Sequence, residues 1–99
     1  MVMTILEANV DREHWQDLEA VYKTETKALD PGIVQTFLVH SRKDDTTWRI
    51  MTIWESREAL EAMRQSGETP RGVVMFRAAK AEPVLSVFEI VSRAGTKVE

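Results

Sequence analysis

The residues of this sequence that could do chemistry are few, and most of them sit inside apolar stretches. His40 follows Phe37, Leu38 and Val39, and an imidazole is the side chain best suited to exchange protons near neutral pH. It is the first candidate for a general base, although a histidine at the end of a strand also serves as a structural or surface residue. Asn9 ends an apolar segment just before a helix start. A strand end of that kind often opens into a pocket, where the amide can hold a substrate oxygen. Other polar residues interrupt apolar strands: Glu7, Gln35, Thr36, Thr52, Ser86 and Glu89. Each needs a hydrogen-bond partner, a sheet edge or a ligand. His14 lies beside Glu13 and reads as solvated. Two histidines so far apart, with no Cys, make no metal site. No Ser-His-Asp spacing, phosphate loop or dinucleotide fingerprint is present.

Several side chains suit the walls of a substrate pocket. Trp54, Phe37, Met63 and Met75 supply apolar surface, and Met adapts to irregular shapes, whether lining a cavity or filling a core. Residues 64–80 hold four bases and one acid, against six acids and three bases in residues 11–30. Arg64, Arg71 and Arg77 either ring a pocket mouth, drawing in a phenolate or carboxylate, or decorate a solvated helix face.

These groups are positioned by readable elements. Residues 2–9 are β-branched and apolar, which predicts a strand. Asp11 is a plausible N-cap for a helix over about 11–28, whose face carries Trp15, Leu18, Val21 and Tyr22. Asp30-Pro31-Gly32 ends it. Segments 33–41 and 47–54 predict two strands joined by the polar loop 42–46. Ser56 caps a second helix with Gly67 beyond its end, and Thr69-Pro70 starts a third helix reaching about Lys80, with a strand at Val73-Val74-Met75-Phe76 as the alternative. Pro83 introduces a last strand, 84–92. The order β-α-β-β-α-α-β predicts a ferredoxin-like α+β fold with a four-stranded antiparallel sheet. A single domain is expected over 1–93, with a polar tail over 94–99.

The strands are apolar on both faces. Ile33, Phe37 and Val39 are expected to oppose Val34 and Leu38. Trp48, Ile50 and Trp54 oppose Met51 and Ile53, and Val84, Phe88 and Ile90 oppose Leu85, Val87 and Val91. Helices of the same chain cover one face, so a second copy packing sheet against sheet is expected on the other, with a lipid-like ligand as the alternative.

Composition narrows the function classes. The chain has 99 residues, 43% hydrophobic and 29% charged, and no Cys. Runs of apolar residues are too short for a membrane span, and the N-terminus lacks the pattern of a signal peptide. A net charge of −3 argues against nucleic acid as partner. A cytoplasmic location fits the cysteine usage.

The opening strand into an Asp-led helix, the Asp30-Pro31-Gly32 turn and the run Ile53-Trp54-Glu55-Ser56-Arg57-Glu58-Ala59-Leu60 resemble the antibiotic biosynthesis monooxygenase superfamily. The resemblance extends to about Val91 and implies a dimeric α/β-barrel. It implies a small cofactor-independent monooxygenase, acting with O₂ on an aromatic or polyketide-like substrate. His40 is then the expected base, Asn9 the polar anchor, and Trp54, Met63, Met75, Phe37 and Arg64 the substrate contacts. No metal or other cofactor is expected. A ligand-binding protein without catalysis and a haem-degrading enzyme are the alternatives. The haem-degrading branch has an Asn late in strand one, a Trp in helix two and a His in helix three. Here those places fall near Asn9, Met63 and Val73. The anthrone oxygenases use Asn, Trp and Tyr, and the one Tyr here, Tyr22, lies on helix one.

Overall fold

The four apolar segments form strands β1 (Val2–Asn9), β2 (Ile33–His40), β3 (Thr47–Trp54) and β4 (Val84–Glu89) in a computed structural model that describes residues 1–95. Between them lie a 3₁₀ turn (Arg12–His14) and helices α1 (Trp15–Glu25), α2 (Arg57–Gln65) and α3 (Arg71–Ala78). The strands pair in the order β2-β3-β1-β4, all antiparallel, which is the ferredoxin-like arrangement expected from the sequence. The tail expected over 94–99 lies outside the described residues from position 96 onward. Among the described residues, no helix is long and apolar enough to cross a membrane.

Strand alternation decides what the helices cover. Ala8, Trp48 and Ile50 share a core with Leu18 of α1 and Met75 and Phe76 of α3. Val2 and Trp54 share a second one with Leu60 of α2. Leu18 and Phe76 are wholly buried, and each such side chain stabilises the fold by about 1.5–3 kcal/mol. Two glycines let layers approach closely. A Cβ at Gly72 of α3 would lie 2.5 Å from Leu6 Cδ1 on β1. Gly32 has φ +89°, and a Cβ there would lie 2.5 Å from Ala59 Cβ of α2. The 30–32 turn is thereby seated against α2.

Local chemistry explains most element ends. Ser56 caps α2 by accepting from Ala59 N at 3.1 Å. Gly67 follows the end of α2 with φ +80°. In the β2–β3 loop the Asp44 carboxylate accepts from Thr46 N and Thr46 Oγ1, and these bonds hold its pKa below the usual range.

Some expected boundaries differ. The segment 11–28 is a 3₁₀ turn followed by a shorter helix, and Asp11 makes no side-chain cap. Pro70 itself is the N-cap residue of α3, and Thr69 precedes it. Strand β4 ends at Glu89, although Ile90 N still donates to Met1 O at 3.0 Å. The larger correction is in β2. A register shift between Ile33 and Gln35 turns Ile33 toward Trp54 and Leu60 on the helix side, away from Phe37 and Val39.

The other sheet face is uncovered. The registers Phe37↔Met51↔Ile5 and Ile53↔Met3↔Phe88 lay two apolar rows across it. Strand β4 is open on both sides. Val84 and Phe88 are 70% and 54% exposed on the outer face, while Leu85 and Val87 are 47% and 46% exposed on the helix side.

Candidate functional site

The helix-side face of the sheet carries one polar row among apolar ones. Thr36 pairs with Thr52, and Thr52 pairs with Thr4, so three hydroxyls stand side by side across β2, β3 and β1. Threonine is favoured in strands by its branched Cβ, and alternation turns these three toward the helices. Above them is a cavity of about 240 Å³. Its floor is this row together with Leu6, Ile50 and Trp54. Its roof comes from Leu60, Met63 and Arg64 of α2 and from Val73 and Met75 of α3, and the end of α1 closes one side.

The hydroxyls are held in defined states. Trp54 Nε1 donates to Thr4 Oγ1 at 3.2 Å in a buried contact. A hydroxyl that accepts one bond keeps its own proton to donate, so Thr4 O–H is available to an oxygen in the cavity. Thr36 Oγ1 and Thr52 Oγ1 share one proton at 3.3 Å, leaving another hydroxyl proton for a ligand. In apolar surroundings such donors bind an oxyanion far more strongly than they would in water.

Charge is confined to the rim. Arg71 Nη1 donates to Glu25 O at 3.1 Å and Ala28 O at 2.7 Å, covering carbonyls at and just beyond the end of α1. It also pairs with Asp30 and Glu25, at 3.4 and 3.9 Å. Arg77 meets Glu82 with two bonds, of 3.1 and 2.9 Å. Those bonds lower the Glu82 pKa and raise that of Arg77. Among the described residues Arg64 pairs only with Glu61, at 3.3 Å and in the open. All three arginines of the basic segment line the cavity, but Arg71 is committed to several partners and Arg77 to a two-bond pair with Glu82.

Of the residues singled out in the sequence, Trp54, Met63, Met75 and Arg64 come together around this cavity. His40, Asn9 and Phe37 do not. His40 stacks on Trp48 at 4.0 Å, lies edge-on to Trp15 at 4.6 Å, and bonds through Nε2 to Asp45 O at 2.6 Å. Asn9 Oδ1 accepts from Thr46 and Thr47 hydroxyls at 3.2 and 3.4 Å. Both sit at the hairpin-loop end of the sheet. Phe37 faces outward, beside Met51. Thr4 escaped notice in the sequence, because one Thr inside Val-Met-Thr-Ile-Leu looks like ordinary strand. The signal was its place in the same alternation as Val2 and Leu6. No group of three or more His, Cys, Asp or Glu among the described residues is placed to hold a metal ion.

Known structures share this architecture. A MhuD variant with two manganese protoporphyrin IX bound per active site superposes with TM-score 0.73 at 22% identity, over 97% of this chain and 100% of that one. SnoaB, a cofactor-independent oxygenase from Streptomyces nogalater, gives 0.70 at 17%, over 93% and 94% of the two chains. A candidate antibiotic biosynthesis monooxygenase from Deinococcus radiodurans gives 0.71 at 12%, over 99% and 100%. At such identities the likeness is one of fold. No curated protein matches the sequence. The sequence model for antibiotic biosynthesis monooxygenases matches residues 1–81, a span that runs from β1 through α3 and holds most of the cavity lining. The chain belongs to the antibiotic biosynthesis monooxygenase family.

Proposed function

We propose that this protein is a homodimeric, cofactor-independent monooxygenase that oxidises a flat phenolic molecule of aromatic or polyketide-like type with O₂. One observation carries the reading: an apolar cavity whose floor presents Thr4 and Thr52 hydroxyls beside Trp54. A phenol-activated CH₂ group loses a proton to become a carbanion, delocalised onto the phenolic oxygen. The carbanion gives its electrons to O₂, forming a hydroperoxide that loses water to leave a carbonyl. One O₂ is consumed per CH₂, with one oxygen atom in the product and one in water. The chain's part is to hold the oxyanion by the Thr4 hydroxyl and the remaining proton of the Thr36–Thr52 pair, and to exclude water between Met63, Met75 and Trp54.

Proton removal falls to ionisation of the substrate before it settles, because His40 and Asn9 stand at the far end of the sheet. Arg64 fits that order. An exposed pair such as Arg64–Glu61 is worth about 0–1 kcal/mol, so an incoming phenolate competes with it. The homodimer is supported by the uncovered outer face, where Phe37, Val84 and Phe88 are exposed.

Among the described residues no His or Tyr lines the cavity. It therefore offers no imidazole or phenolate to a haem iron, and haem degradation is not supported. A second reading, ligand binding without catalysis, is favoured by the ion pairing of every charged side chain in the lining.

An oxygen electrode separates the two. With hydroxylated anthrones, equimolar O₂ uptake is expected, falling by about tenfold or more in Thr4→Val. Binding of these compounds without O₂ uptake would establish the second reading instead.

A further inference from the structure

We propose that the open groove beside the cavity is its polar extension, and that the two together take an elongated ligand with an aromatic head and an amine-bearing tail. This rests on the reading of the inner cavity as a substrate site. The groove has about 270 Å³, a size comparable to the cavity, and Asp30, Met63, Pro70 and Arg71 line both. The two spaces are thus neighbours across a shared wall.

Their chemistry differs. The inner space is walled by Leu6, Ile50, Leu60 and Met75, whereas the groove presents Ser66, Glu68 and Thr69. Ala62, small and exposed on α2, leaves room for a thin chain. The groove lies between the C-terminal end of α2 and the N-terminal start of α3, whose dipoles oppose one another, so side chains set its charge. Glu68 is exposed and has no ion-pair partner among the described residues, and Asp30 shares Arg71 with Glu25. Negative charge therefore exceeds positive charge at this end, which selects a cation that donates hydrogen bonds.

Met63 is the movable part of the wall. It is half-buried against the Val2, Trp54 and Leu60 cluster. An unbranched thioether swings aside with little loss of packing, so a tail can pass where a branched side chain would block it.

The test compares 2-naphthol with 2-naphthol carrying a four-carbon chain that ends in an amine, by calorimetric titration of the full chain. The tailed probe is expected to bind about tenfold tighter, as one charge-assisted hydrogen bond supplies. Glu68→Gln, an exposed change that leaves the fold alone, is expected to remove most of that advantage. Ala62→Trp, which fills the groove at an exposed position outside the inner cavity's lining, is expected to remove all of it while holding the 2-naphthol Kd within about twofold. Equal affinity of the two probes, or equal gain from a tail ending in carboxylate, overturns the bipartite site and leaves the inner cavity standing. Failure of 2-naphthol itself to bind overturns both.

Discussion

Replacing Thr4 by Val tests whether the Thr4–Trp54 contact is sealed from water, as the burial of both residues implies. Val keeps the branched shape of Thr and removes the hydroxyl, and with it the acceptor of the Trp54 N–H bond. Thr4 is 9% exposed and Trp54 4%, so the indole N–H is left buried and unpaired. An orphaned donor of that kind destabilises by about 1–3 kcal/mol. For a domain near 100 residues, 1 kcal/mol shifts Tm by about 4–8 °C, so a fall of roughly 8–16 °C is expected for the middle of the range. Trp54→Phe removes the donor as well. In that background Thr4→Val is expected to be nearly neutral, giving a coupling of about 1 kcal/mol or more between the two sites. Urea unfolding of the four proteins at one fixed concentration measures it, since a dimer's stability depends on concentration. Additivity within about 0.5 kcal/mol would refute the reasoning. It would mean that water reaches Trp54 Nε1 through the cavity and that the Thr4 hydroxyl does no particular work there.

Other outcomes follow from the same geometry. Gly32→Ala combines a positive φ with a Cβ 2.5 Å from Ala59 Cβ and is expected to destabilise by about 2–5 kcal/mol. Gly72→Ala meets only the end of the Leu6 side chain, and a helical Ala recovers about 1 kcal/mol, so thermal melts should show it to be the milder change. Phe88→Asp on the exposed outer face is expected to yield an 11.3 kDa species by light scattering, and the unmodified chain, as the proposed homodimer, twice that mass. Glu82, held below its ordinary pKa by Arg77, stabilises the fold above the ordinary carboxylate range and loses that contribution as pH falls through the lowered value. Glu82→Gln should therefore weaken the acid-side loss of stability measured by denaturation between about pH 5 and pH 3.

Alternation made most of the sheet legible before any coordinates. Trp48, Ile50 and Trp54 against Met51 and Ile53 fixed both the covered and the open face of β3. The bulge after Ile33 was not legible, because an extra residue in a strand leaves no trace in an apolar run. Thr36 and Thr52 stood out as polar residues in apolar strands, but their union with Thr4 depends on a pairing register that local patterns do not carry. His40 looked poised for proton transfer, since its neighbours in sequence are apolar. The groups that occupy it, Trp15, Trp48 and the Asp45 carbonyl, come from other elements. The arginine-rich segment showed where a rim lies, whereas Glu25, Asp30 and Glu82, which bind two of its charges, follow from the fold.

The most direct test of the proposed chemistry is isotopic. A hydroxylated anthrone is turned over under oxygen-18 gas in ordinary water, and the product is weighed by mass spectrometry. One heavy oxygen atom in the new carbonyl, formed with no added metal, haem or flavin, is the expected result. A product whose oxygen comes from water, or no product despite tight binding, would contradict it.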